Sequence, residues 1–320
     1  MTGFVQQKME LGATGANQEH PLIVGTSEGL LWFAASQQWM ELEGHSISAI
    51  APSLNGLWAA VDRKSVWHRD SQGEWQVVAA NVRDLQLNCI QPLSGRVLVG
   101  TSSARLFWIV DGGVEFIQSF DSAPGRDEWY TPWGGSPAVR SMAEGQSGEL
   151  YANVHVGGIL RSQDRGRSWQ PTIDLHWDVH QVITVPNRPG VVLAATAEGL
   201  ATSTDGGDSW SLDRANLHAT YSRAVAVCGE TVLMSTSSGP SGAKAAIYRR
   251  SLDRPGTFEK CDRGLPQWFS HNIDTGSLVA LEDRAVFGTS DGQIFWSDDA
   301  GLTWKQLASD LPPIHCLNFS

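Results

Sequence analysis

Residues Ser162-Gln163-Asp164-Arg165-Gly166-Arg167-Ser168-Trp169 carry a pattern, Ser-x-Asp-x-Gly-x-Ser/Thr-Trp, that returns from Ser203 to Trp210 and again from Ser297 to Trp304. Each copy follows an apolar run and precedes another. In such a turn Asp and Ser side chains bond nearby backbone N–H groups, Gly accepts a positive φ, and Trp offers a large apolar surface to bury. The segment reads as a hairpin clasp between two strands. Looser copies stand at Asp70-x-x-Gly73-x-Trp75, Asp111-x-Gly113-x-x-Phe116 and Asp253-x-x-Gly256-x-Phe258. Asp70 to Asp111 and Asp164 to Asp205 are both steps of 41 residues, the size of one four-stranded propeller blade.

A second repeat sets the number of blades. Short strands are predicted at Ile47–Ala51, Leu85–Ile90, Ala138–Ala143, Val179–Val185, Ser222–Cys228, Ile273–Val279 and Ile314–Phe319. All but the last precede the body of a blade. The first body, residues 22–42, has no such strand before it, so the C-terminal strand is expected to join that blade and remove both open edges. The reading is an all-β, seven-bladed β-propeller of four-stranded blades over residues 21–320, closed by the C-terminal strand, with an irregular segment over residues 1–20.

Composition agrees with this class and narrows the partners. The 320 residues include 33 Gly and 14 Trp, and long apolar patterns of helical period are absent. A net charge of −11 speaks against nucleic acid as a partner, since a basic stripe is needed to displace counterions from phosphates. No apolar run reaches the length of a membrane span. Met1 to His20 lacks the basic, apolar and small-residue regions of a signal peptide. Cys89, Cys228, Cys261 and Cys316 show no close pairing pattern and read as reduced thiols. A cytoplasmic location is expected.

The repeated turn resembles the Asp-box, or BNR, repeat of sialidases and related propellers. Asn153-Val154-His155-Val156-Gly157-Gly158 and Asp178-Val179-His180-Gln181-Val182 look like stretches of bacterial proteins labelled glycosyl hydrolase or sialidase-like. That resemblance implies a fold and no reaction, because Asp-boxes lie away from the catalytic centre of such propellers. Sialidases have six blades, a carboxylate-binding arginine triad and an N-terminal Arg-Ile-Pro segment. No such segment occurs here and the blade number differs, so a sialidase is not expected.

Aligning the seven predicted inner strands places one polar residue at a matching position in each: Ser48, Asn88, Arg140, His180, Arg223, Asp274 and His315. Their apolar neighbours should pack between blades while these residues face the central channel. Strand order puts His45, His155, His176, His180, His218, His271 and His315 on the face where the inner strands begin. Two long loops lie there as well. One spans residues 121–137 and holds Trp129, Tyr130 and Trp133; the other spans residues 237–245. Long loops on a rigid scaffold commonly carry specificity, and the aromatic loop is a candidate either to cap the channel and stack on a substrate or to pack on the disc.

These residues suggest an enzyme acting on a small anionic molecule by acid–base chemistry of the hydrolase or lyase type. Arg140 and Arg223 are fixed forks for a carboxylate, sulfate or phosphate. His180, with Asp178 two residues earlier and Asp274 across the ring, is a candidate general base, and His155 approaches it from the neighbouring blade. Tyr221 shares a strand face with Arg223 and is a candidate proton donor. Trp133, His315, Asn88 and Ser48 complete the candidate binding set. No motif requires a cofactor, although His155, His180 and His315 with Asp274 are ligand types that suit a divalent metal, and His176-x-Asp178-x-His180 offers another trio. A protein-binding propeller without catalysis is the alternative. Glycoside hydrolysis ranks third, because it needs facing carboxylates and only Asp274 lies on the ring, with Asp178 and Glu128 available from loops.

Overall fold

The three clasps form as their chemistry dictates. Ser162 Oγ donates to Asp164 Oδ1 at 2.8 Å and accepts the Gly166 N–H at 2.7 Å, while Asp164 takes the Ser168 N–H at 2.8 Å and the Ser168 hydroxyl at 2.6 Å. The same bonds recur among Ser203, Asp205, Gly207 and Ser209. They recur again among Ser297, Asp299, Gly301 and Thr303. Gly166 adopts φ 87°, a left-handed geometry that a side chain would strain. Trp169 and Trp304 then turn inward and are 2% and 3% exposed, which makes each clasp an anchor for packing as well as a turn.

A computed structural model describes residues 20–320, apart from 35–36, 112, 132–133 and 255. Seven four-stranded antiparallel sheets form the blades of a β-propeller. The closing strand Ile314–Phe319 pairs antiparallel with Leu22–Thr26, setting Leu22 opposite Phe319 and Val24 opposite Leu317, and Ser320 N donates to Pro21 O at 2.9 Å. The ring closes as expected. The segment 1–20 falls, except for His20, outside the described residues.

Apolar burial is divided into seven cores, one at each junction between neighbouring blades. Alternation along a strand produces this division. Leu22 and Val24 pack toward the last blade, with Val286 and Ile294, whereas Ile23 between them packs toward Ile47 and Ala59 of the second blade. Both faces of a blade are therefore apolar, which explains continuous runs such as Leu22-Ile23-Val24. All four thiols are free, and burial raises each to about 12, so they remain protonated packing groups.

Two inner strands are shorter than the sequence suggests, Val225–Cys228 and Leu278–Leu281. Their leading residues spend backbone groups elsewhere: Ser222 N donates to Thr196 O at 2.9 Å, Ala224 N to Ser235 Oγ at 3.0 Å, and Ser277 N to Asp274 O at 2.9 Å. These residues approach the channel as loops. No helix among the described residues is long and apolar enough to cross a membrane.

The clasps carry a testable acid sensitivity. Bonds from the Ser168 hydroxyl and N–H hold Asp164 down to about 2, and bonds from Ser209 do the same for Asp205. A folded-state value below the ordinary 3.8 means that the clasps contribute stability above that pH and lose it as pH falls toward 2. In melts recorded across this window, the double variant Asp164→Asn/Asp205→Asn is expected to lose less stability than the wild type. Parallel curves would show that the carboxylates do not clasp the turns.

Candidate active site

The inner strands share one irregularity that aims the ring residues. Ser48, Asn88, Arg140 and His180 each sit where the ladder skips a residue, between Ile47 and Ala49, Leu87 and Cys89, Val139 and Ser141, and Val179 and Gln181. His315 is skipped in the same way, since Gly25 pairs with Cys316 and Thr26 with Ile314. A bulged residue has no partner opposite it, and its side chain is re-aimed relative to the regular pleat. Each inner strand also packs beside the next around the ring, so the bulges converge near the beginnings of these strands.

Several ring residues are occupied in joining blades. His315 Nδ1 lies 3.3 Å from Ile47 O, Asn88 Nδ2 donates to Val139 O at 3.0 Å, and His180 Nδ1 lies 2.7 Å from Ser222 O. Ile47, Val139 and Ser222 immediately precede Ser48, Arg140 and Arg223, so in three blades one ring residue grips the backbone that presents the next. Arg63 also donates to Asn88 Oδ1, and Ser48 Oγ turns to Ala60 O at 3.4 Å. Ser48, Asn88 and His315 thus make structural bonds, and the ring narrows as a candidate ligand set to blades four through seven.

There the chemistry is dense. His155 occupies the turn between strands Leu150–Val154 and Gly158–Ser162. The next residue, Val156, is held at φ 50°, a strained conformation for a β-branched side chain. Asp178 ends the short 3-10 turn Leu175–Trp177 in the left-handed region. Its carboxylate lies between two rings: Oδ1 is 3.2 Å from His155 Nε2 and Oδ2 is 3.4 Å from His180 Nε2. Both imidazoles are almost wholly buried, while the Asp178 side chain is 27% exposed. The rings of His155 and His180 are 5.7 Å apart, and Tyr221 stands 4.7 Å from His180.

Arg223 and Asp274 form a second unit. Arg223 Nη1 donates to Asp274 Oδ1 at 2.5 Å and Nη2 to the Tyr221 hydroxyl at 3.2 Å. Asp274 therefore neutralises Arg223 and stands apart from the two histidines. Arg140 is different: among the described residues it has no hydrogen bond or ion pair. Burial, followed by the repelling charge of Arg223, lowers its affinity for a proton. Of the two arginines expected to anchor an anion, Arg223 is paired with Asp274 and Arg140 is not, among the described residues.

Charge is distributed unevenly within the cluster. Burial alone would raise the Asp178 carboxyl, but its contacts with His155 and His180 and their charge hold it well below the usual carboxylate range. His155 is held below the usual imidazole range by burial first, with Arg140 and His180 adding to it against the attraction of Asp178. Arg223 is raised, since Asp274 and Tyr221 outweigh the opposing effect of burial.

Other candidates lie elsewhere. His315 and Asp274 do not join His155 and His180, and Asp178 takes the carboxylate position instead. His176 is exposed because the 3-10 turn breaks the extended alternation that would have aligned it with Asp178 and His180. His218 is held by Tyr248 and Lys244 O at 3.0 and 2.9 Å. Trp129 packs on Phe120 within the core between blades three and four, so this part of the aromatic loop packs on the disc. Tyr130 and Glu128 are exposed. Trp133 lies outside the described residues.

The fold and ring define a seven-bladed β-propeller, and known structures agree. No protein-family model matches the sequence, and no curated protein matches it. The chain is similar to a catalytically inactive virginiamycin B lyase from Staphylococcus aureus, solved with quinupristin, at 12% identity and a TM-score of 0.61 over 82% of this chain and 84% of that one. It is similar to the GH74 xyloglucanase from Xanthomonas campestris at 14% identity and a TM-score of 0.60, covering 91% of this chain and 47% of that one. A GH74 enzyme from Niastella koreensis matches at 12% identity and a TM-score of 0.59, covering 90% and 47%. The chain spans about half the length of these two GH74 enzymes. At such identities the likeness establishes the propeller fold alone.

The two arginines should respond oppositely to neutralisation. Arg223→Gln is expected to lose roughly 1 kcal/mol of stability, a small value because Asp274 is half exposed and solvent screens the pair. Arg140→Gln should match or exceed the wild type, by up to about 1 kcal/mol, since it removes an unpaired, partly buried cation. Denaturant melts at neutral pH decide the matter, and equal losses in both variants would mean that Arg140 is held by a partner.

Proposed function

We propose that the chain is an enzyme that acts on a small anionic molecule at the mouth where the inner strands begin, by hydrolysis or elimination. The observation that carries this reading is Arg140, a partly buried guanidinium with no hydrogen bond or ion pair among the described residues, beside a buried pair of histidines sharing one carboxylate. A structural arginine in such a place is normally neutralised, as Arg223 is by Asp274. Leaving one fork open suits a carboxylate, sulfate or phosphate that supplies the missing charge on binding.

The remaining roles follow from geometry. Burial favours neutral His155, which is the form that accepts a proton. Asp178, between the two imidazoles, stabilises positive charge that develops on them. Tyr221 accepts a bond from Arg223, which leaves its own hydroxyl proton free to be given to a leaving group or developing oxyanion. Glycoside hydrolysis is less well supported, because Asp178 is engaged by imidazoles and Asp274 by Arg223. The three Ser-x-Asp-x-Gly-x-Ser/Thr-Trp turns support a place among Asp-box propellers, and the free thiols suit a reducing, cytoplasmic setting.

Calorimetric titration with sodium sulfate and sodium phosphate tests the anion site. Wild-type protein is expected to bind one equivalent, and Arg140→Gln to lose that binding while staying folded. In a screen of carboxylate-, sulfate- and phosphate-bearing esters and eliminable substrates, Tyr221→Phe should lower kcat by about 10²-fold. Anion affinity and turnover that are indifferent to Arg140 would overturn the reading.

A further inference from the structure

We propose that His155, His180 and Asp178 together bind one divalent transition-metal ion, for which zinc is best suited, with a coordination position left open toward Arg140. The inference deepens the reading of this mouth as an active site, but the binding of the ion stands on separate observations.

The first observation is a conflict between acceptors. His180 Nδ1 faces Ser222 O at 2.7 Å, and a carbonyl oxygen only accepts, so Nδ1 carries the ring proton. In the neutral ring, Nε2 is then a lone pair, and it faces a carboxylate oxygen 3.4 Å away. His180 Nε2 and Asp178 Oδ1 are both buried without a hydrogen-bond partner. The oxygen facing His180 Nε2 is Oδ2, while Oδ1 faces His155 Nε2. Two lone-pair atoms turned toward each other repel unless a proton or a metal ion lies between them. A backbone carbonyl that holds the remote nitrogen of a ring and aims the near one is also the usual support of a metal-ligating histidine.

The second observation is spacing. Ligand atoms bound at about 2.0–2.2 Å in a tetrahedron lie about 3.3–3.5 Å from one another. The two nitrogen–oxygen separations here are 3.2 and 3.4 Å, and all three groups offer donor atoms within 4.8 Å of one another. Small rotations of the rings complete the set. Two imidazoles and one carboxylate suit zinc and neighbouring first-row ions, whereas calcium needs more oxygen ligands than this site supplies.

The third observation is the supporting backbone. The two loops that carry His155 and Asp178 come from adjacent blades, and each holds a non-glycine residue in the left-handed region, Val156 at φ 50° and Asp178 at φ 49°. Such strain persists where surrounding structure enforces it, and it gathers at ligand sites. Asp178, at 27% exposure, gives the ion access from the channel, while the buried rings shield its other side. Arg140 would repel a bare cation, but it favours a metal whose open position holds an anion. The metal and the anion would therefore bind cooperatively.

Tag-free, full-length protein stripped with a chelator and titrated calorimetrically with zinc chloride is expected to bind one equivalent at micromolar affinity or tighter. Cobalt(II) should produce the visible absorption of a low-coordinate nitrogen–oxygen site. Asp178→Asn keeps a residue that tolerates the left-handed backbone, and with His155→Gln it should weaken zinc by more than about tenfold. Asp274→Asn and His315→Gln should change zinc affinity by less than about twofold, because neither side chain reaches the cluster. Sulfate should tighten zinc binding in the wild type and have no such effect in Arg140→Gln. Absence of binding by folded, stripped protein overturns the metal site, as does binding that survives both ligand substitutions. Arg140-dependent sulfate binding by zinc-free protein would in that case leave the anion reading standing. One equivalent of zinc without Arg140-dependent sulfate binding would support the metal and remove the anion site.

Discussion

One unpaired residue near the start of an inner strand sets most of what is distinctive in this molecule. Where the ladder skips Ser48, Asn88, Arg140, His180 or His315, the backbone gives up a regular cross-strand partner and gains a side chain aimed along the ring. The carbonyl just before the skipped position is then free to accept from the neighbouring blade, and Asn88 and His315 use it so; His180 makes the same kind of bond to Ser222 O, in the loop that leads into its neighbour's inner strand. Small residues opposite make room for this approach: a Cβ on Gly100 would stand 2.6 Å from Cys89 Sγ and 2.7 Å from Val139 Cγ1. The bulge both joins the blades and presents the polar groups, so the structural and chemical roles of the ring cannot be separated by residue type.

Closure makes these small joints cooperative. No core belongs to a single blade, because every apolar cluster is shared by two neighbours. The strand Ile314–Phe319 supplies part of the junctions on both sides of the first blade, with Leu317 and Phe319 in one core and Cys316 in the other. Pairing it with Leu22–Thr26 removes the open sheet edges on either side of the seam. Two strands far apart in sequence are thus held in one sheet, and the positions of Arg140, His180 and Arg223 depend on a contact made far from them in sequence.

Much of this was legible in the sequence because its causes are local or periodic. A clasp such as Ser162–Trp169 is specified within eight residues by hydroxyl, carboxylate and glycine chemistry, and its spacing reports the blade length. Alignment of the inner strands found the seven ring positions for the same reason. What it missed depends on departures from period. The 3-10 turn Leu175–Trp177 turns His176 outward and brings Asp178 between two imidazoles, which extended alternation would not foresee. Asp274 satisfies Arg223 rather than the histidines because its strand begins late, at Leu278. Trp129 buries itself against Phe120, an outcome decided by packing in three dimensions rather than by the aromatic content of its loop.

The charge of the chain and the charge of the mouth point in opposite directions, and distance resolves the contradiction. A net charge of −11 creates a repelling field for extended polyanions, which must meet much of the surface at once. Salt screens exposed charges beyond about 8–10 Å, so a compact anion near Arg140 responds mainly to the few groups around it. Asp274 cancels Arg223 at 2.5 Å, Asp178 is shared by two imidazoles, and Arg140 keeps its charge in a partly buried place where solvent weakens attraction less than at the surface. In the proposed reading this arrangement selects by size as well as by sign: a small carboxylate, sulfate or phosphate meets mainly Arg140, whereas an extended polyanion meets the net negative surface as well.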